Sequence, residues 1–134
     1  MASGLALALL AACSGEERVR VRTDHATYRT ADVVVITTMN GRREAVYDNH
    51  CGGEVQNRDR RGRWGANVGM VRLCTEDGAP VVTISPGARH VDTLSVNGQA
   101  PRGTGRAVLV LRDARGRPLP EEERTSNTFR VRPR

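Results

Sequence analysis

The sequence predicts an all-β domain in which two antiparallel sheets of seven to nine short strands pack face to face as a sandwich. Three observations carry that expectation. Apolar residues alternate with period two, as in Arg18-Val19-Arg20-Val21-Arg22, the spacing that puts every second side chain on one face of a strand. Turn signals such as Asn40-Gly41, Ser85-Pro86-Gly87 and Asp113-Ala114-Arg115-Gly116 recur about every dozen residues. No stretch after Cys13 offers a helical apolar period over three turns.

Taken in order, residues 18–22 read as an edge strand, because the alternate arginines discourage pairing with another chain. A polar stretch containing Tyr28 follows. Residues 32–39 (Asp-Val-Val-Val-Ile-Thr-Thr-Met) are β-branched at successive positions and read as a central strand covered on both faces. Asn40-Gly41 ends it, and residues 44–48 form a weaker strand. Residues 54–58 lead into Asp59-Arg60-Arg61-Gly62-Arg63-Trp64, a hairpin tip with Trp64 starting the return. Residues 68–75 look extended but irregular, 76–80 are loop, and Val81 to Ile84 is a short strand. Ser85-Pro86-Gly87 turns the chain into residues 89–96, where His90, Asp92, Leu94 and Val96 share one face. After a Gly- and Pro-rich loop, residues 106–112 form a second central strand. Asp113 to Arg117 repeats the turn chemistry of the earlier tip, 119–126 is an acidic loop, and 127–131 closes the sheet.

Length and charge bound the function classes. The 134 residues suffice for one domain with an ordinary core. All 21 basic residues are Arg, against 15 acids, for a net charge of +6. Their scatter through the whole chain fits an Arg-rich coding bias, and it also fits attraction to anionic lipid or acidic envelope polymers. Nucleic-acid binding is not expected. The chain has only Trp64, Tyr28, Tyr47 and Phe129 as stacking aromatics and no recognisable binding motif.

The apolar run Leu5-Ala6-Leu7-Ala8-Leu9-Leu10 precedes Leu10-Ala11-Ala12-Cys13, and the chain then turns polar at Ser14-Gly15-Glu16-Glu17. This arrangement resembles the lipobox of bacterial lipoproteins. The resemblance implies that residues 1–12 are a signal peptide cleaved by signal peptidase II. Cys13 becomes the acylated first residue, and 13–17 form a short tether ahead of a domain at 18–133. Residues 1–4 carry no basic side chain, which points to a natural start further upstream. The apolar run is far shorter than the roughly 20 residues of a spanning helix. Three acyl chains would anchor the protein stably, with the membrane as its first partner. By the same resemblance Ser14, in place of an inner-membrane-retaining Asp, implies outer-membrane sorting and an address at the bacterial cell envelope rather than in the cytoplasm.

The opening strands, the segment from Cys51 to Cys74, the Asp59 to Trp64 hairpin, the Ser85-Pro86-Gly87 turn and the closing Ser126-Asn127-Thr128-Phe129-Arg130-Val131 together resemble an immunoglobulin-like envelope domain. Domains resembling the intracellular proteinase inhibitor BsuPI share this layout. The expected function is a non-catalytic envelope lipoprotein that displays an immunoglobulin-like binding or structural module. A BsuPI-like proteinase inhibitor is the alternative.

If Cys13 takes lipid, Cys51 and Cys74 remain as an even pair, which an exported domain would oxidise to a disulfide worth roughly 3 kcal/mol. A metal centre drawn from His50, Cys51, Cys74 and His25 or His90 is the competing reading. It lacks the close paired ligands of structural zinc, so no metal and no other cofactor is expected. Catalytic residues are not expected either. Ser85, Ser95 and Ser126 sit in no nucleophile elbow, and His90 with Asp92, the tidiest acid–base pair, reads as two solvent-facing polar residues on an edge strand. Trp64 is either a core plug or an exposed binding aromatic. Partner contacts are expected at Arg60, Arg61, Arg63 and Trp64, with Arg115 and Arg117 on a neighbouring turn, the partner being an envelope protein or polymer.

Overall fold

The computed structural model describes residues 17–49, 53–66, 70–71, 81–96 and 103–133. Alternation at the start of the domain becomes β1 (Val19–Thr23), where Val19 and Val21 are buried and Arg20 and Arg22 are exposed. The chain continues through β2 (Thr27–Arg29), β3 (Val33–Asn40), β4 (Val46–Asn49), β5 (Glu54–Arg58), β6 (Trp64–Ala66) and β7 (Met70–Val71). Then come β8 (Val81–Ile84), β9 (Arg89–Val96), β10 (Gly103–Val108), β11 (Leu111–Arg112), the single-turn helix α1 (Glu121–Arg124) and β12 (Phe129–Arg132). The architecture is all-β. Strands number twelve among the described residues, more than the sequence predicts, for two local reasons. The run expected over 106–112 breaks at Leu109-Val110 into β10 and β11. The polar stretch around Tyr28 forms β2, because Tyr28 is a fully buried anchor paired beside Val131.

One sheet has the order β1-β3-β9-β7, a second β2-β12-β10-β5-β6, and a third β11-β4-β8. The last two are joined along β10–β11: β5 pairs antiparallel with β10, Asn57 opposite Gly105, and β4 with β11, Tyr47 opposite Arg112. They form one layer against the first sheet, giving a sandwich. Val34, Ile36, Leu94 and Val96 from the first sheet meet Val55, Leu111, Phe129 and Val131 from the other in a single apolar cluster. Each such buried side chain contributes about 1.5–3 kcal/mol.

Two elements differ from the sequence expectation. β3 is central in its sheet but covered on one face only. Val34 and Ile36 are fully buried, whereas Val33 is 52% exposed and Met39 39% exposed on the outer side. The stretch read as an acidic loop contains α1, one turn long. Pro120 precedes it with φ −51°, and Glu121, Glu122 and Glu123 fill its first turn, where acidic side chains favour the exposed backbone N–H groups.

The core becomes polar at one end. Thr38 and Asn40, at the last inward positions of β3, are buried. Asn40 Nδ2 donates to the Glu44 carbonyl at 2.8 Å and the Ile84 carbonyl at 2.9 Å, and its Oδ1 accepts the Arg42 amide at 2.9 Å. One side chain thereby joins β3 to β8 across the two layers.

Candidate functional site

The polar end of the core holds three side chains whose chemistry goes beyond packing. Asp48 lies on β4, beyond the fully buried Val46 and on the same face, and is itself fully buried. His90 and Asp92 come from β9 in the opposite layer, two residues apart and therefore on one face. Their cross-strand partners on β3 are Thr38 and Ile36, both inward-facing. One donor atom from each of the three residues lies within 4.8 Å of the others. His90 Nε2 is buried and makes no hydrogen bond. Asp92 Oδ1 accepts the Thr93 amide at 2.8 Å, which fixes the carboxylate's rotation. Two carboxylates and an imidazole converging across the layers are donors of the kinds that ligate a divalent cation.

The solvent-facing, edge-strand reading of His90 and Asp92 is therefore wrong. β9 lies between β3 and β7, and His90 and Asp92 share the inward face of the buried Leu94 and Val96: Asp92 is 7% exposed, whereas Val91 on the outward face is 58% exposed. Sequence reasoning misses Asp48, which precedes His90 by more than forty residues and sits in a strand with a weak local signal. His25, the other described histidine, is exposed beside Asp24 Oδ2 at 3.5 Å, away from this cluster. His50, Cys51 and Cys74 lie outside the described residues, as does Cys13, so the expected disulfide, the acylation and residues 1–16 as signal peptide and tether receive no structural account.

The arginine turns are built alike. Asp59 Oδ1 accepts the amides of Arg61 at 2.8 Å and Arg63 at 2.9 Å, and the Gly62 amide reaches back to the Asp59 carbonyl at 3.0 Å. Asp113 Oδ1 accepts the amides of Arg115 and Arg117, both at 2.9 Å, and the Gly116 amide meets the Asp113 carbonyl at 3.0 Å. Gly62 (φ +78°) and Gly116 (φ +75°) occupy the left-handed region that the turn requires. The Arg63 amide, with that of Arg61, holds the Asp59 carboxyl below its ordinary range, and the Arg117 amide does the same for Asp113. Arg60, Arg61, Arg63, Arg115 and Arg117 are all exposed, although Arg63 Nε turns back to Asp59 Oδ2 at 3.1 Å.

The two turns are not neighbours. The Asp59 turn extends past the Asn57–Gly105 pair and the Asp113 turn past the Tyr47–Arg112 pair, at opposite ends of β10–β11 and separated by roughly 20 Å of strand. Trp64 is not part of the apolar core. It is half-buried on β6, with the Arg106 guanidinium 4.3 Å from its ring centroid, an internal cation–π contact that braces the root of the hairpin.

Among the described residues, no helix is long and apolar enough to cross a membrane. No family model matches the chain, and no curated protein matches it. Solved structures overlap with it weakly. Pseudomonas fluorescens alkylpurine DNA glycosylase AlkC bound to DNA containing an abasic site analog aligns at TM-score 0.45 and 10% identity, over 86% of this chain and 30% of the glycosylase. The chain thus corresponds to less than a third of that enzyme. The PapD-like domain 7 of human CEP192 aligns at TM-score 0.38 and 11% identity, covering 88% of this chain and 86% of the domain. The structural-genomics target SoR45 aligns at TM-score 0.41 and 19% identity, covering 85% of this chain and 84% of the target.

Proposed function

We propose that the chain is a lipid-anchored, non-catalytic display module of the bacterial cell envelope: an immunoglobulin-like sandwich tethered through Cys13, stapled by a Cys51–Cys74 disulfide, and recognising an acidic envelope protein or polymer. The observation that carries this reading is the Leu10-Ala11-Ala12-Cys13 motif, which stands a few positions before β1 in the sequence. The arginine turns support the recognition half. In each, an aspartate fastens the backbone so that arginine side chains project from a rigid tip, which lowers the entropy lost on binding. Because the tips lie apart, Arg60, Arg61 and Arg63 form the primary contact surface, with Trp64 bracing its root under Arg106, and Arg115 with Arg117 forms a separate one.

Intact mass on protein from the host's membrane fraction tests the address. A species beginning at acylated Cys13, gaining two hydrogens on reduction, is expected. An unlipidated chain that retains Met1 and two free thiols overturns the reading. For recognition, replacing Arg60, Arg61 and Arg63 with Ser is expected to abolish partner capture without lowering the Tm, and undiminished capture removes that surface. A rigid, exposed hairpin tip also favours the proteinase-inhibitor alternative. Titratable inhibition of a serine protease or metalloprotease by the mature domain would put that alternative first.

A further inference from the structure

We propose that Asp48, His90 and Asp92 bind one divalent transition-metal ion, zinc or manganese, between the two layers of the sandwich, where it acts as a structural cross-link. β4 and β9 belong to different layers, and their inward faces bring one carboxylate from the first and a carboxylate and imidazole from the second within 4.8 Å. Donors sharing one ion at about 2.1 Å are roughly 3–3.5 Å apart, so small side-chain rotations close the set. The chemistry agrees. Imidazole with two carboxylates is a borderline-to-hard donor set, suited to zinc or manganese rather than to a thiophilic ion.

The surroundings support a ligand role. Nε2 of His90 is buried without a hydrogen bond, so its lone pair or proton has a cost in the interior that a metal bond removes. Asp92 is held by the Thr93 amide at 2.8 Å, an outer contact of the kind that orients a ligating carboxylate. Two buried carboxylates this close repel each other, and a dication between them turns that repulsion into attraction. The position matters as well. At this end of the sandwich the inward residues Thr38, Asn40, Asp48 and Asp92 are polar, so apolar contact contributes less there and a coordinate link between layers contributes more. Three protein donors leave the remaining coordination positions to water or a further protein group.

The full chain, stripped with EDTA, is titrated calorimetrically with zinc chloride and separately with manganese chloride, and its melting is followed in parallel. One ion per chain is expected, with the Tm rising by roughly 10 °C when the ion exceeds Kd about a hundredfold. Asp48→Asn and His90→Gln are each expected to weaken binding by about a hundredfold or more. Asp92→Asn guards against simple loss of the fold. It keeps an oxygen for the Thr93 amide and relieves the carboxylate repulsion, so its metal-free form should melt no lower than the metal-free wild type while its metal-dependent increment disappears. Cobalt substitution should give a visible d–d spectrum without a thiolate charge-transfer band. The proposal is overturned if no ion binds up to about 1 mM, if binding survives both Asp48→Asn and His90→Gln, or if cobalt reports thiolate ligation.

Discussion

Arg42 forks onto Glu123, Nε to Oε1 at 2.8 Å and Nη2 to Oε2 at 2.5 Å, and the same Oε1 accepts the Val19 amide at 3.0 Å. One buried carboxylate thus binds α1, the turn after β3 and the first residue of β1. The Arg42 guanidinium holds the Glu123 carboxyl below its ordinary range, against the opposing effect of burial. A carboxyl whose pKa falls on folding stabilises the fold at pH values above its unfolded pKa, and that contribution is lost as pH drops through the folded value. Glu123→Gln should therefore lower stability near neutral pH by about 2 kcal/mol. The difference from wild type should shrink as the pH is taken below about 4. Urea melts at pH 7 and pH 3 check this, and a constant difference contradicts it.

Gly105 on β10 lies against Phe129 of β12. A methyl group added there would meet Phe129 Cε2 at 2.8 Å, closer than atoms pack. Phe129 cannot easily retreat, because its ring stands edge-on to Tyr28 at 5.4 Å. Gly105→Ala should cost about 1–3 kcal/mol. Adding Phe129→Leu should recover part of that loss, so a double-mutant cycle with no coupling would rule out the clash as its cause.

Asn40→Ala removes both donors that hold the Glu44 and Ile84 carbonyls from a position 1% exposed. A fall in Tm of roughly 10 °C is expected. Amide exchange should quicken first in β8, the strand that the contact fastens. Unchanged exchange there would show that β8 is held by β4 alone.

The Tyr28 hydroxyl donates to Asp24 Oδ1, which also accepts the Val35 amide at 3.1 Å, and the His25 amide donates to the Tyr28 oxygen at 2.9 Å. Burial, reinforced by the Asp24 carboxylate, raises the Tyr28 phenol above its ordinary value. Tyr28→Phe keeps the ring in the core and should cost about 1–2 kcal/mol. In wild type, spectrophotometric titration should show a tyrosine ionisation above the ordinary phenol range, and that transition should be absent from the variant.

What was legible in the sequence was local. The valines of β1 declare their face two residues at a time, and both arginine turns could be read from an aspartate and a glycine three positions on. Period two, however, states only that His90, Asp92, Leu94 and Val96 share a face, not which way that face points. Leu94 and Val96 favour that face, His90 and Asp92 oppose it and Val91 favours the other; the long-range register with β3 sets His90 and Asp92 beside the inward Thr38 and Ile36. Asp48 was harder still. Nothing near it in the chain marks it as buried, and its partners arrive from the opposite layer. β2 leaves no periodic signal in the sequence, because a three-residue strand carries one buried side chain and no repeat.

β12 sits between β2 and β10, running parallel to the first and antiparallel to the second. Tyr28 and Val131, about a hundred residues apart in the chain, lie side by side in that sheet. A growing chain therefore presents β2 without its neighbour, and Tyr28 without the ring of Phe129, until almost all of the domain has been synthesised. Closure of the sandwich is consequently a late event with a high loop-closure cost, slow beside that of a helical domain of equal length.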